Sequence, residues 1–160
     1  MEIRIQATGA VVLEQEFRAM FPNTSLPVPL TESAINGLGG DIVFEGPQAT
    51  GGTVYQYSVR SGVEQLAGKW YTKYILGPVF TDTPEATAAE QEAAYKAAKD
   101  ADQASAVRAD RNARLAACDW TQLSDAPVDD LAWAVYRQAL RDITAQPGFP
   151  WDITWPVEPQ

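Results

Sequence analysis

Residues 84–117 read PEATAAEQEAAYKAAKDADQASAVRADRNARLAA, and after Pro84 neither glycine nor proline recurs until Pro127. Alanine, glutamate, glutamine and lysine are the strong helix formers, and a proline in the first turn is where the missing N–H costs nothing. The stretch therefore predicts one long helix over 85–117, started at Thr83-Pro84. Its apolar content is mostly small: Ala86, Ala89, Ala93, Ala97, Ala101 and Ala104, with Tyr95, Val107 and Leu115 as the larger residues. Such a helix buries little by itself. It is either a solvated connector or an alanine stripe that packs on a second copy of the chain or on a partner. It also divides the sequence, because what precedes and follows it has a different composition.

Residues 1–82 are punctuated by Pro22, Pro27, Pro29, Gly37, Gly39, Gly40, Gly46, Pro47, Gly51 and Gly52, which separate short apolar pieces. Ile3 and Ile5 alternate with Arg4 as a strand would, and Phe17, Met20 and Phe21 give a helical turn or two ended by Pro22. Thr31 caps a second short helix over 32–38, and residues 41–45 follow as a strand. Over 53–80, Tyr55, Tyr57 and Val59 alternate, Ser61-Gly62 and Ala67-Gly68 read as turns, and 70–76 is aromatic and β-branched. An antiparallel meander is the expectation. Residues 118–160 contain Trp120, Trp133, Trp151 and Trp155 together with Pro127, Pro147, Pro150, Pro156 and Pro159. Asp129 is placed to cap a helix reaching 145, with Leu131, Val135, Tyr136, Ala139, Leu140 and Ile143 as its apolar face, Trp133 at the edge, and Arg137, Gln138 and Arg141 opposite. The fold class is thus α+β: a small antiparallel β-rich module (1–82), a long helical connector (83–117) and a small helical Trp/Pro-rich unit (118–160).

Composition excludes several functions. With 12 basic and 21 acidic side chains the net charge is −9, the wrong sign for gripping nucleic acid or an anionic membrane. No apolar run has the length of a membrane span, and charged residues interrupt the N-terminal segment where a secretory leader would be apolar, so a cytoplasmic protein is expected. Cys118 is the single cysteine and histidine is absent, which removes intrachain disulfides and the commonest metal ligand and general base. No serine lies in a nucleophile elbow or has a histidine to activate it. The glycine clusters at 37–40 and 51–52 lack the Lys-Ser/Thr of a phosphate loop, and Asp129 and Asp130 are explained by a helix N-terminus. The expectation is a non-enzyme with no catalytic residues, no metal and no cofactor.

The run 111–127, RNARLAACDWTQLSDAP, continues through Trp133, through Tyr136-Arg137-Gln138-Ala139-Leu140-Arg141-Asp142-Ile143, and through Pro147-Gly148-Phe149-Pro150 to Trp155-Pro156. This pattern resembles the C-terminal domain of phage tail fibre assembly chaperones. The resemblance implies a protein that binds a phage tail fibre protein and assists its folding, trimerisation or attachment, in the host cytoplasm during assembly. The alternative is a structural accessory of the fibre or baseplate retained in the virion tail, with an N-terminal module that binds a receptor through Tyr55, Tyr57, Trp70, Tyr71 and Tyr74. The residues expected to meet a partner are Trp120, Trp133, Tyr136, Arg137, Arg141, Phe149, Trp151 and Trp155, because large aromatic and arginine side chains dominate interface hot spots. Trp120, Trp133 and Tyr136 are equally suited to packing the C-terminal unit. The proline-rich strip 147–160 is expected to lie extended, covered by the 129–145 helix or by a fibre subunit, and its deletion to leave a folded chain that cannot hold its partner. Gln91 and Gln103 are expected to be exposed and replaceable.

Overall fold

The computed structural model describes residues 1–160 as a mixed α+β chain that divides into two compact units, Met1–Val79 and Phe80–Gln160. No helix is long and apolar enough to cross a membrane.

In the first unit, strand β1 (Glu2–Ile5) pairs antiparallel with β2 (Val11–Leu13) and with β3 (Gly40–Phe44). Helices α1 (Glu14–Ala19) and α2 (Glu32–Gly37) press Phe17 and Ile35 onto Ile3, and all three side chains are fully buried. Gly40 makes that convergence feasible. A Cβ there would stand 2.8 Å from Ile35, 2.9 Å from Ile3 and 2.9 Å from Phe17. Thr31 caps α2 as expected, its hydroxyl accepting from the Ala34 N–H, and Gly39 leaves the helix at a positive φ.

Strands β4 (Tyr57–Leu66) and β5 (Lys69–Gly77) complete the sheet, in the order β2-β1-β3-β5-β4, with β3 and β5 parallel and all other pairs antiparallel. The expected meander is a single long hairpin. Ser61-Gly62 is no turn but a bulge: the register slips between Arg60 and Val63, and Gly62, at φ 80°, absorbs the extra residue. The reversal falls at Ala67-Gly68, both at positive φ, which is the two-residue turn whose twist matches a hairpin. Tyr55 lies outside the strand. The β2 strand escaped sequence reading because only three residues form it.

In the second unit α3 spans Ala88–Ala117, three residues later than expected at its start. Thr87 rather than Thr83 is the cap: its hydroxyl accepts from Glu90 N–H while the Glu90 carboxylate accepts from Thr87 N–H, a reciprocal capping box. Thr83 instead closes a turn with Ala86. Gln91 is not free on the surface, since its amide donates to the carbonyls of Thr81 and Ala86. Only Ala104 and Val107 of α3 are buried, in keeping with its small side chains. A 3-10 turn (Asp119–Gln122) leads to α4 (Asp130–Arg141), capped by Asp129, and a second 3-10 turn (Asp142–Ala145) ends it.

Candidate partner-binding surface

Helix α4 resolves which of its side chains face inward. Trp133, Tyr136, Arg137 and Leu140, at spacings of three and four, are buried, whereas Leu131 and Val135 are exposed. The expected apolar face combined two stripes; the bulkier one takes the interior because it removes more surface from water. Trp133, Tyr136 and Leu140 form a hydrophobic core with Cys118, and Leu115, Val128 and Trp155 pack against it.

The inward position of Arg137 corrects its assignment to the solvent side. It is 7% exposed and ties α4 to the end of α3. One guanidinium nitrogen donates to the Leu115 carbonyl at 2.9 Å and to Cys118 Sγ at 2.9 Å, and the other to Asp119 at 2.7 Å. The Leu115 carbonyl, in the last turn of α3, also accepts from the Cys118 N–H at 3.3 Å, so Arg137 adds a second donor to the end of α3 from a different helix. The hydrogen bond to Asp119 holds the guanidinium above its ordinary pKa, against the opposing effect of burial. Arg137 Nε is left without an acceptor. Aromatic packing continues outward from this node. The Trp133 ring meets Tyr136 edge-on at 5.6 Å and Trp120 at 6.1 Å, and Trp120 remains 49% exposed.

Residues 147–152 run in turns rather than extended, and the segment is covered in part by the expected α4, on whose core Trp155 packs, and in part by α3. The Gln146 side chain behaves like a backbone amide, donating to the Thr154 carbonyl and accepting from the Thr154 N–H, each at 2.8 Å, which closes 146–154 into a loop. That loop lies on α3. The Trp151 indole donates to Asp100 at 2.6 Å, Gln103 donates to the Pro150 carbonyl at 3.4 Å, and Arg108 and Arg114 stack over Phe149 and Trp155 at 5.3 and 4.4 Å. Gln103 is therefore a contact residue.

Of the side chains expected to meet a partner, Trp133, Tyr136 and Arg137 are interior, Phe149, Trp151 and Trp155 are half-buried on α3, and Trp120 and Arg141 are open to solvent. The large exposed apolar residues of the unit also include Leu123, Leu131 and Val135, which sequence reasoning had not singled out as surface features. In the first unit, Trp70 lies under the Arg4 guanidinium at 3.9 Å, Tyr71 packs on Phe44, and the Tyr74 hydroxyl donates to Glu45. Those three aromatic side chains thus have partners within the module. No group of three or more His, Cys, Asp or Glu is arranged to hold a metal ion.

A helix pair locked by a buried arginine and overlaid by an aromatic loop makes the second unit a small helical domain. Residues 104–160 match the model of the phage tail assembly chaperone protein family. The match does not extend into Met1–Val79. No curated protein and no solved structure matches the chain.

Proposed function

We propose that the protein is a bacteriophage tail fibre assembly chaperone, which binds a tail fibre protein in the host cytoplasm and assists its folding, trimerisation or attachment. The observation that carries this reading is the family match over 104–160, which supports a role in phage tail assembly; the fibre as the client follows from the resemblance of the C-terminal sequence to tail fibre assembly chaperones. The protein acts by binding and not by catalysis, a reading supported by a sequence without histidine and without a nucleophile in a catalytic context.

Co-expression with a tail fibre protein of the same phage, followed by size-exclusion chromatography with mass analysis, tests this. The expected result is a complex and a higher yield of trimeric fibre than the fibre protein gives alone. Fibre that trimerises equally well without the chain, and no complex, would overturn it. Release of reducing sugar from host polysaccharide, abolished by replacing an acidic pair, would overturn the non-enzymatic reading.

A further inference from the structure

Helix α4 carries a second stripe opposite the one it buries. Leu131 and Val135, one turn apart, are 76% and 64% exposed, and the same line continues through Gln138 and Asp142, whose side chains hydrogen-bond at 3.0 Å. Single exposed apolar residues are commonplace. Helix propensity accounts for Leu131 but not for Val135, because valine is a poorer helix former than the alanine, glutamate or lysine an idle surface position would accept.

The charge around the ridge is one-sided. Residues 119–160 contain the acids Asp119, Asp125, Asp129, Asp130, Asp142, Asp152 and Glu158, against the bases Arg137 and Arg141. Arg137 is buried and engaged with Asp119. Asp129 and Asp130 stand at the N-terminal end of the ridge and Asp142 at the other. Asp129 accepts from the backbone N–H groups of Leu131 and Ala132, and Asp142 from the Gln138 amide, all neutral donors, and Arg141 is the one exposed base of the segment.

We infer that the Leu131/Val135 ridge of α4 docks a helical segment of the tail protein, one that presents apolar side chains a turn apart with lysine or arginine on either side. This deepens the proposed function and rests on it. An i, i+4 pair on a helix of about 18 Å offers the ridge that a second helix accommodates in its groove, and the carboxylates at both ends select a basic partner.

The experiment uses the full chain, with the tail fibre protein of the same phage as probe. L131Q/V135Q and, as a variant that favours helix still more, L131A/V135A are compared with the wild type by titration, with far-UV circular dichroism and melting temperature as folding controls. Both double variants are expected to stay folded and to bind at least about tenfold more weakly. D130N/D142N should bind with a shallower dependence on salt. Wild-type affinity in the two apolar double variants overturns the inference. So does a wild-type chain that dimerises alone and becomes monomeric in L131Q/V135Q, which would give the ridge to a second copy. Absence of any complex with the wild type would show before a variant is made, and would overturn the functional reading itself.

Discussion

Arg137 sits at a position where the helical wheel allows two readings, and physical chemistry explains why the inward one holds. A guanidinium can enter an interior if its N–H groups find acceptors, and the end of α3 presents a carbonyl, a sulfur and a carboxylate within reach of one side chain. Replacement by alanine removes the donor shared by the Leu115 carbonyl, Cys118 Sγ and Asp119 and opens a cavity between the helices. A loss of about 2–3 kcal/mol in urea unfolding is expected for R137A. Lysine, a single point charge, cannot bridge the same three acceptors and should recover only part of it. An R137A chain as stable as the wild type would mean the cluster contributes nothing net. A second residue carries local strain. Ala67 is held at φ 48° in the hairpin turn, a region costly for a residue with a Cβ and better tolerated by asparagine. Ala67→Asn is expected to raise stability by roughly 0.5–1 kcal/mol, read as a higher urea midpoint at unchanged slope.

At the scale of elements, the start of α3 separates two candidate caps. Thr83-Pro84 has the better local signature, yet Thr87 and Glu90 make the reciprocal bonds. Thr87→Ala should therefore cost about 1 kcal/mol of stability, while Thr83→Ala costs much less. The hydrogen bond from Thr87 N–H, followed by that from its hydroxyl, holds the Glu90 carboxyl below its ordinary 4.5. A lowered folded-state pKa means the contribution is fully present above that ordinary value and is lost as pH falls through the folded one. E90A should accordingly lower stability at neutral pH and leave it nearly unchanged at low pH, which flattens the acid side of the stability profile. Two threonines within four residues are why sequence misplaced the helix start by one turn. The sequence made the existence of α3 and α4 plain through composition and an aspartate cap, since those signals are local. The bulge at Gly62 and the parallel β3–β5 pairing were not legible, because both depend on which strands become neighbours. Nor was the burial of Arg137, where the acceptors lie on another helix. Leu131 and Val135 were taken for core because two apolar stripes on one short helix look alike until the competing partner surface is known.

For the molecule as a whole, the consequential change from sequence to structure concerns the segment 147–160. Read as a proline-rich strip, it looked like a binding tail whose loss would spare the fold. The structure gives it a different task in the second unit. Helix α3 is rich in alanine and buries only two side chains, so an isolated copy of it would be marginal in water. Phe149, Trp151 and Trp155 supply the bulk that α3 lacks, and Asp100, Gln103, Arg108 and Arg114 hold them there. The aromatic surface that should not stand in water is covered within the same unit. Deleting residues 147–160 is therefore expected to loosen α3 itself. Amide hydrogen exchange along residues 91–114 should lose protection by an order of magnitude or more, and the melting temperature of the chain should fall. Gln146→Ala, which opens the loop while keeping every aromatic residue, should produce a smaller change in the same amides. Full protection of α3 in the truncated chain would return the strip to the role of a free binding tail. Loss of protection, joined to weakened fibre binding by L131Q/V135Q, would instead assign the aromatic loop to stability and the outer ridge of α4 to recognition.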